Sequence, residues 1–140
     1  MITHSIKETM EYASSLAASW TKYITLSGML WAWKTHFVKW FAQGLGIESH
    51  SVKSPTYTYM HIYENKLLHI DMYRLEVYED AQKKWIIDQI FDAEYCIIER
   101  PKRTHTYTTA NRKHLMIKKV DDHSREFIDI ETQDIDAQVL

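Results

Sequence analysis

Residues 23–28, YITLSG, form a short β-rich run that closes on a glycine, and an amphipathic helical pattern opens at Lys34, with Phe37, Val38, Phe41 and Leu45 on one side. Residues 28–33 connect the two, and Gly44 and Gly46 supply stop signals at the far end of the helix. A buried strand, a loop opened by glycine and a helix that starts on Lys-Thr make up the supersecondary unit of a phosphate-binding loop. Gly28 and Lys34-Thr35 fit the frame G-x-x-x-x-G-K-[ST], except that the glycine expected before the lysine is Trp33, with Trp31 and Trp40 close by.

The rest of the chain supplies elements to surround that unit. Ser5-Ile6-Lys7-Glu8 has capping-box spacing, and Ile6, Met10, Ala13 and Ala17 follow at helical intervals, which predicts an amphipathic helix over residues 5–18. Strands are expected over residues 57–63 and 66–72, joined by a turn at Glu64-Asn65 into a β-hairpin. Residues 77–84 read as a helix with Glu79 and Asp80 placed early, where the helix dipole favours acids. YCIIE, residues 95–99, is a continuous apolar run of the kind buried on both faces of a sheet, and Pro101 ends it. HLMIKKV and EFIDIE alternate apolar with polar residues and read as a closing antiparallel pair around Asp121-Asp122. Mixed strands with interspersed helices, and no repeat, linker or low-complexity segment, give one α/β domain over residues 1–140.

Charge and composition narrow the function classes. A formal net charge of −2 gives no electrostatic reason to expect non-specific nucleic-acid binding. A single cysteine, Cys96, inside an apolar run excludes an internal disulfide and reads as packing rather than as a nucleophile. There is no signal-peptide pattern and no run of the ~20 apolar residues that a membrane span needs, so the expectation is a cytoplasmic protein. His61 and His69 on the hairpin and His36 beside the loop lack the H-x-x-x-H or H-E-x-x-H spacing of a metal site and read as structural or solvated. Tyr57, Tyr59, Tyr63 and Tyr73 could stack on bases, but the basic groove that accompanies stacking is missing, and packing explains them better.

A phosphate loop needs glycines that let N–H groups turn onto phosphate, a lysine that neutralises its charge and a hydroxyl for Mg²⁺. Lys34 and Thr35 supply the last two. A carboxylate at the end of a buried strand completes such a metal site, and the candidates are Asp71, closing LLHID, and Glu99, closing YCIIE. An acid at a strand end is commonly only a solvated terminus. The ordered set of strand, loop, Lys-Thr, helix and two strand-end acids is far more specific.

The segments LSG-x-L-x-A-x-KT-x-F, GLGI, VKSPTYT, HIDMYRLE and IIER-P, in this order and spacing, resemble the bacterial TsaE family over roughly residues 5–130. The resemblance implies a P-loop NTPase-like three-layer α/β domain with a mixed sheet. It also implies an ATPase that uses Mg²⁺ and works with TsaD and TsaB to make threonylcarbamoyladenosine at position 37 of tRNA, meeting the tRNA through the complex. Carried over by position, Trp31, Ala32, Trp33, Lys34, Thr35 and His36 would form the nucleotide loop, and Arg125 would lie near the nucleotide. Thr35, Asp71 and Glu99 would serve the metal, with Lys34, Asp71 and Glu99 acting in the chemistry and residues 54–58 forming a switch-like segment.

The departures fall in one pattern. The family loop reads G-D-L-G-A-G-K-T-T, whereas this chain has Met29, Trp31, Trp33 and His36 in it, and Arg100 replaces the tryptophan that usually follows the glutamate. Trp20, Trp31, Trp33, Trp40 and Trp85 all fall where the family carries glycine, while glycine itself occurs three times in 140 residues. An average usage of ~7% would give roughly ten. One reading is that these are UGA codons decoded as glycine in the host and written here as tryptophan. The other is a degenerate paralogue that has lost ATP binding and keeps only its partner surface. An indole at position 33 would fill space that a phosphate loop leaves open.

Overall fold

The computed structural model of the chain describes residues 1–19, 21–28, 33–48, 60–71, 80–99 and 112–130. Its strands are β1 (Ile2–Thr3), β2 (Tyr23–Gly28), β3 (Met60–Tyr63), β4 (Leu67–Asp71), β5 (Tyr95–Glu99), β6 (Arg112–Lys119) and β7 (Arg125–Asp129). Its helices are α1 (Ile6–Ala18), α2 (Lys34–Gly44) and α3 (Asp80–Asp92). The strands form one sheet in the order β1-β7-β6-β2-β5-β4-β3. β2 runs parallel to both β5 and β6, and β4 runs parallel to β5, while the β1–β7, β6–β7 and β3–β4 pairs are antiparallel. The sheet is therefore mixed, as expected.

Side-chain alternation along the strands sorts the core into two layers. Ile24 and Leu26 of β2, Tyr95 and Ile97 of β5, and Leu115 and Ile117 of β6 pack with Ala13 and Leu16 of α1 and with Phe37 and Phe41 of α2. Cys96 and Ile98 of β5 and Leu68 and Ile70 of β4 point the other way and pack with Ile86 and Ile90 of α3. The result is a three-layer domain, with α1 and α2 over one face and α3 over the other. Every residue of β4 and β5 is buried, which is what continuous apolar runs between two helical layers require.

Ser5 caps α1, its hydroxyl accepting the Glu8 N–H at 3.1 Å. Glu8 reaches one residue further back than the capping box implies, accepting from the His4 N–H at 2.7 Å. Ile6, expected on the buried face, is 51% exposed, and Thr9 and Leu16 face inward instead. α1 and α2 cross very closely at Gly44, where an added Cβ would lie 2.9 Å from Ala17 Cβ and 3.0 Å from Ser14 Cα. One turn earlier, the Trp40 carbonyl accepts from the Ser14 hydroxyl at 3.3 Å. The β3–β4 turn falls at Glu64 and Asn65, both with positive φ, in keeping with a tight hairpin. α3 runs on to Asp92, well past the expected end at 84, while residues 77–79 of that expectation lie outside the described set. β1 had no sequence signal at all.

Candidate functional site

Register fixes where the expected site residues meet. Leu26 of β2 stands beside Glu99 of β5, and Glu99 stands beside Asp71 of β4, so β4 and β5 end level and β2 runs two residues further, to Gly28. Neighbouring strands lie about 4.8 Å apart, which sets the two carboxylates side by side. Alternation turns Asp71 to the same face as Leu67, and Glu99 to the same face as Ile97, the face covered by α1 and α2. α2 begins at Lys34, just after β2 leaves the sheet at this end. Lys34, Asp71 and Glu99 therefore share one end and one face of the sheet. All three are buried, at 8%, 5% and 2% exposure.

The local environment suits charge. The Lys34 ammonium donates to the Gly28 carbonyl at 2.9 Å, which ties the start of α2 back to the last residue of β2. Two buried carboxylates on adjacent strands repel each other unless cationic charge stands near, and the N–H groups at a helix N-terminus favour an anion. Thr35 follows in the first turn of α2, half-buried, and His36 is exposed beside it. Partial burial, and then the charge of Lys39, hold the His36 imidazole below its usual value.

Trp33 is the residue at odds with its position. It precedes α2 with φ 67° and ψ 29°, in the left-handed region, and makes no side-chain cap for the helix. Its half-buried indole lies under the Arg125 guanidinium, 3.6 Å from ring centroid to Cζ, and edge-on to Trp40 at 6.4 Å. Arg125, at the start of β7, is pinned by donating to the Asp121 carbonyl at 2.7 Å and the Ser124 carbonyl at 2.9 Å. Burial draws its guanidinium down from the ordinary value against the opposing pull of Asp121 and Asp122, and it stays charged at any working pH. Trp31, Ala32, Arg100 and residues 54–58 lie outside the described residues.

His69, whose spacing reads as structural or solvated, lies beside the Glu99 carboxylate. Its Nε2 lies 3.3 Å from Glu99 Oε1, with both side chains buried. The signal was available: His69 and Asp71 are two apart on one strand and so share a face. Tyr63, weighed as a stacking residue, is 8% exposed and belongs to the core. Among the described residues no group of three His, Cys, Asp or Glu side chains could hold a metal ion by itself. The donors present fit a magnesium nucleotide, where Mg²⁺ takes a hydroxyl and a carboxylate and leaves its other positions to water and phosphate. Among the described residues the misfit lies at residue 33, whose backbone conformation suits glycine and whose indole occupies the space before Arg125.

A mixed sheet between two helical layers, with a Lys-Thr helix start and two strand-end acids at one end, defines the P-loop NTPase-like fold. The family model described as "Threonylcarbamoyl adenosine biosynthesis protein TsaE" matches residues 3–127, and the chain belongs to that family. It is 36% identical over 107 residues to the tRNA threonylcarbamoyladenosine biosynthesis protein TsaE of Bacillus subtilis (strain 168), a match covering 74% of this chain and 65% of that protein. The protein of the same description from Treponema pallidum (strain Nichols) is 38% identical over 82 residues, 57% of this chain and 60% of that one. The chain thus spans somewhat under two thirds of the length of the curated relatives it matches. A crystal structure of Bacillus subtilis YdiB superposes with a TM-score of 0.62 at 25% identity, covering 99% of this chain and 91% of that one. By its description, the family serves threonylcarbamoyladenosine biosynthesis. Among the described residues no helix is long and apolar enough to cross a membrane.

Proposed function

We propose that this protein is the ATP-hydrolysing subunit of the cytoplasmic machinery that makes threonylcarbamoyladenosine at position 37 of tRNA, with residues 31 and 33 made as glycine in its host. It would act beside TsaD and TsaB and reach the tRNA through them. The observation that carries this reading is the convergence of Lys34, Asp71 and Glu99 on one end and one face of the sheet, at the start of α2. Magnesium bound to Thr35 and the carboxylates would supply charge neutralisation on the phosphates. Lys34 holds phosphate charge in both ground and transition states, Asp71 serves the metal, and Glu99 directs the attacking water. Arg125 supplies a fixed positive group beside the nucleotide.

The second reading is a nucleotide-free module that retains only its partner surface, and Trp33 favours it if that tryptophan is real. The gene decides between them: UGA at positions 31 and 33 supports the enzyme, UGG the decayed module. The same question can be put to the protein by melting each variant with and without Mg-ATP. The chain as written is expected to show no shift. The Trp31→Gly/Trp33→Gly variant is expected to gain stability, because a ligand that binds only the folded state stabilises it by mass action. In that background Lys34→Ala should abolish binding or turnover, and Glu99→Ala should lower turnover more than binding. A clear shift in the all-tryptophan protein would overturn the steric argument at residues 31 and 33 and with it the case for misread glycine codons, whereas equal turnover with and without Lys34 would overturn the assignment of Lys34.

A further inference from the structure

We infer that His69 is a positioning residue for Glu99, fixing which carboxylate oxygen faces the reacting atoms. The inference rests on the ATPase reading above. Position 69 lies between Leu67 and Asp71 on the face of β4 that α1 and α2 cover, where an aliphatic side chain would pack without polar cost. An imidazole with no exposed surface there is costly unless a polar group answers it. The group that answers is Glu99, whose Oε1 lies 3.3 Å from His69 Nε2. The pair is close but not aligned as a straight hydrogen bond. Contacts of this kind are commonly long or bent before substrate is bound.

The strand register explains the direction of the effect. His69 is level with Ile97, one side-chain step deeper in the sheet than the Asp71–Glu99 pair. It therefore stands behind the carboxylates and does not reach substrate. Rotation about the last torsion of a glutamate is the loosest freedom of that side chain. An imidazole held in the core beside one oxygen limits that freedom. Loss of such a partner should weaken the chemical step and leave nucleotide binding nearly alone.

The test uses the full chain carrying Trp31→Gly and Trp33→Gly. His69→Ala should lower kcat roughly ten- to a hundredfold, the usual cost of losing a partner behind a working ligand. KM for ATP should stay within about a factor of two, since ground-state binding is untouched. His69→Gln, whose amide can donate from nearly the same place, should retain most of the activity. In a Glu99→Gln background His69→Ala should cost nothing further. A loss of the same size in both backgrounds means that His69 acts on packing alone and overturns the inference. The second readout needs no nucleotide: in long-range ¹H–¹⁵N spectra, Glu99→Gln should move the His69 signals and leave those of His114, which is bonded to Thr25 at 2.8 Å, in place. Unmoved His69 signals overturn the inference even if His69→Ala fails to fold. A silent parent with a normal melt overturns the ATPase reading itself, whereas an active parent indifferent to His69→Ala overturns only this inference.

Discussion

At residue 33 the backbone and the side chain make opposite demands. A left-handed conformation costs an L-residue on the order of 1–3 kcal/mol and costs glycine almost nothing. The indole recovers part of that through its contacts with Arg125 and Trp40. Glycine would release both the strain and the space. The other tryptophans are less telling: Trp85 sits mid-helix in α3, 47% exposed, and nothing there calls for glycine. Cys96 shows the plainest residue-level behaviour. It is 3% exposed among apolar side chains, and burial pushes its thiol far up from the ordinary value. Thiol reagents are expected to leave it untouched in the native protein and to label it fully in denaturant, and rapid native labelling would contradict this burial. Lys34, Asp71 and Glu99 were legible in the sequence because each closes or opens an element and the motif fixes their order. For His69 alternation supplied the face it shares with Asp71 but not its 3.3 Å distance to Glu99 on the neighbouring strand.

At the scale of elements, the α1–α2 crossing is the tightest contact. Gly44→Ala gains about 1 kcal/mol of helix propensity. It must also push Ser14 and Ala17 aside, a strain worth about 1–3 kcal/mol, so the net change is expected to be a lower urea midpoint. Trp40→Gly alone should leave the Mg-ATP melting shift absent, since residue 40 lies two turns into α2, beyond the phosphate cradle. The β6–β7 turn carries a pH dependence. Asp121 accepts from the N–H groups of His123 and Ser124, both at 2.8 Å, and the bond from His123, more than any other influence, lowers its pKa. A depressed folded pKa means stability that is present above the unfolded value and lost as pH falls through the folded one. Asp121→Asn should therefore be less stable than the parent at neutral pH, and the gap should close below about pH 4. A gap that stays constant down to acid would remove that role. Most element boundaries were readable from period and punctuation. The extent of α3 was not, because exposed Trp85 and Phe91 flank the inward pair Ile86 and Ile90 and blur the helical stripe.

For the whole molecule, the class of fold was legible from alternating strands and helices, but the order of strands was not. The antiparallel pair of β6 and β7 around Asp121-Asp122 was legible from alternation, but nothing local in residues 112–119 says that the other edge of β6 lies beside β2. The C-terminal hairpin nevertheless completes the main core, contributing Leu115, Ile117 and Phe127. A chain shortened to residues 1–111 is expected to lose its cooperative thermal transition by circular dichroism. A sharp melt in that fragment would show that the remaining strands suffice. The same topology has a consequence during synthesis. β2 leaves the ribosome long before β6, and β5, β4 and β3 can assemble on its other side first. One flank of β2 then waits with its backbone N–H and C=O groups unpaired in what will become the interior of the sheet, and β1 waits likewise for β7. Open strand flanks of this kind are where sheets recruit foreign chains. For this protein the most exposed moment comes during translation, in the interval before its last hairpin emerges.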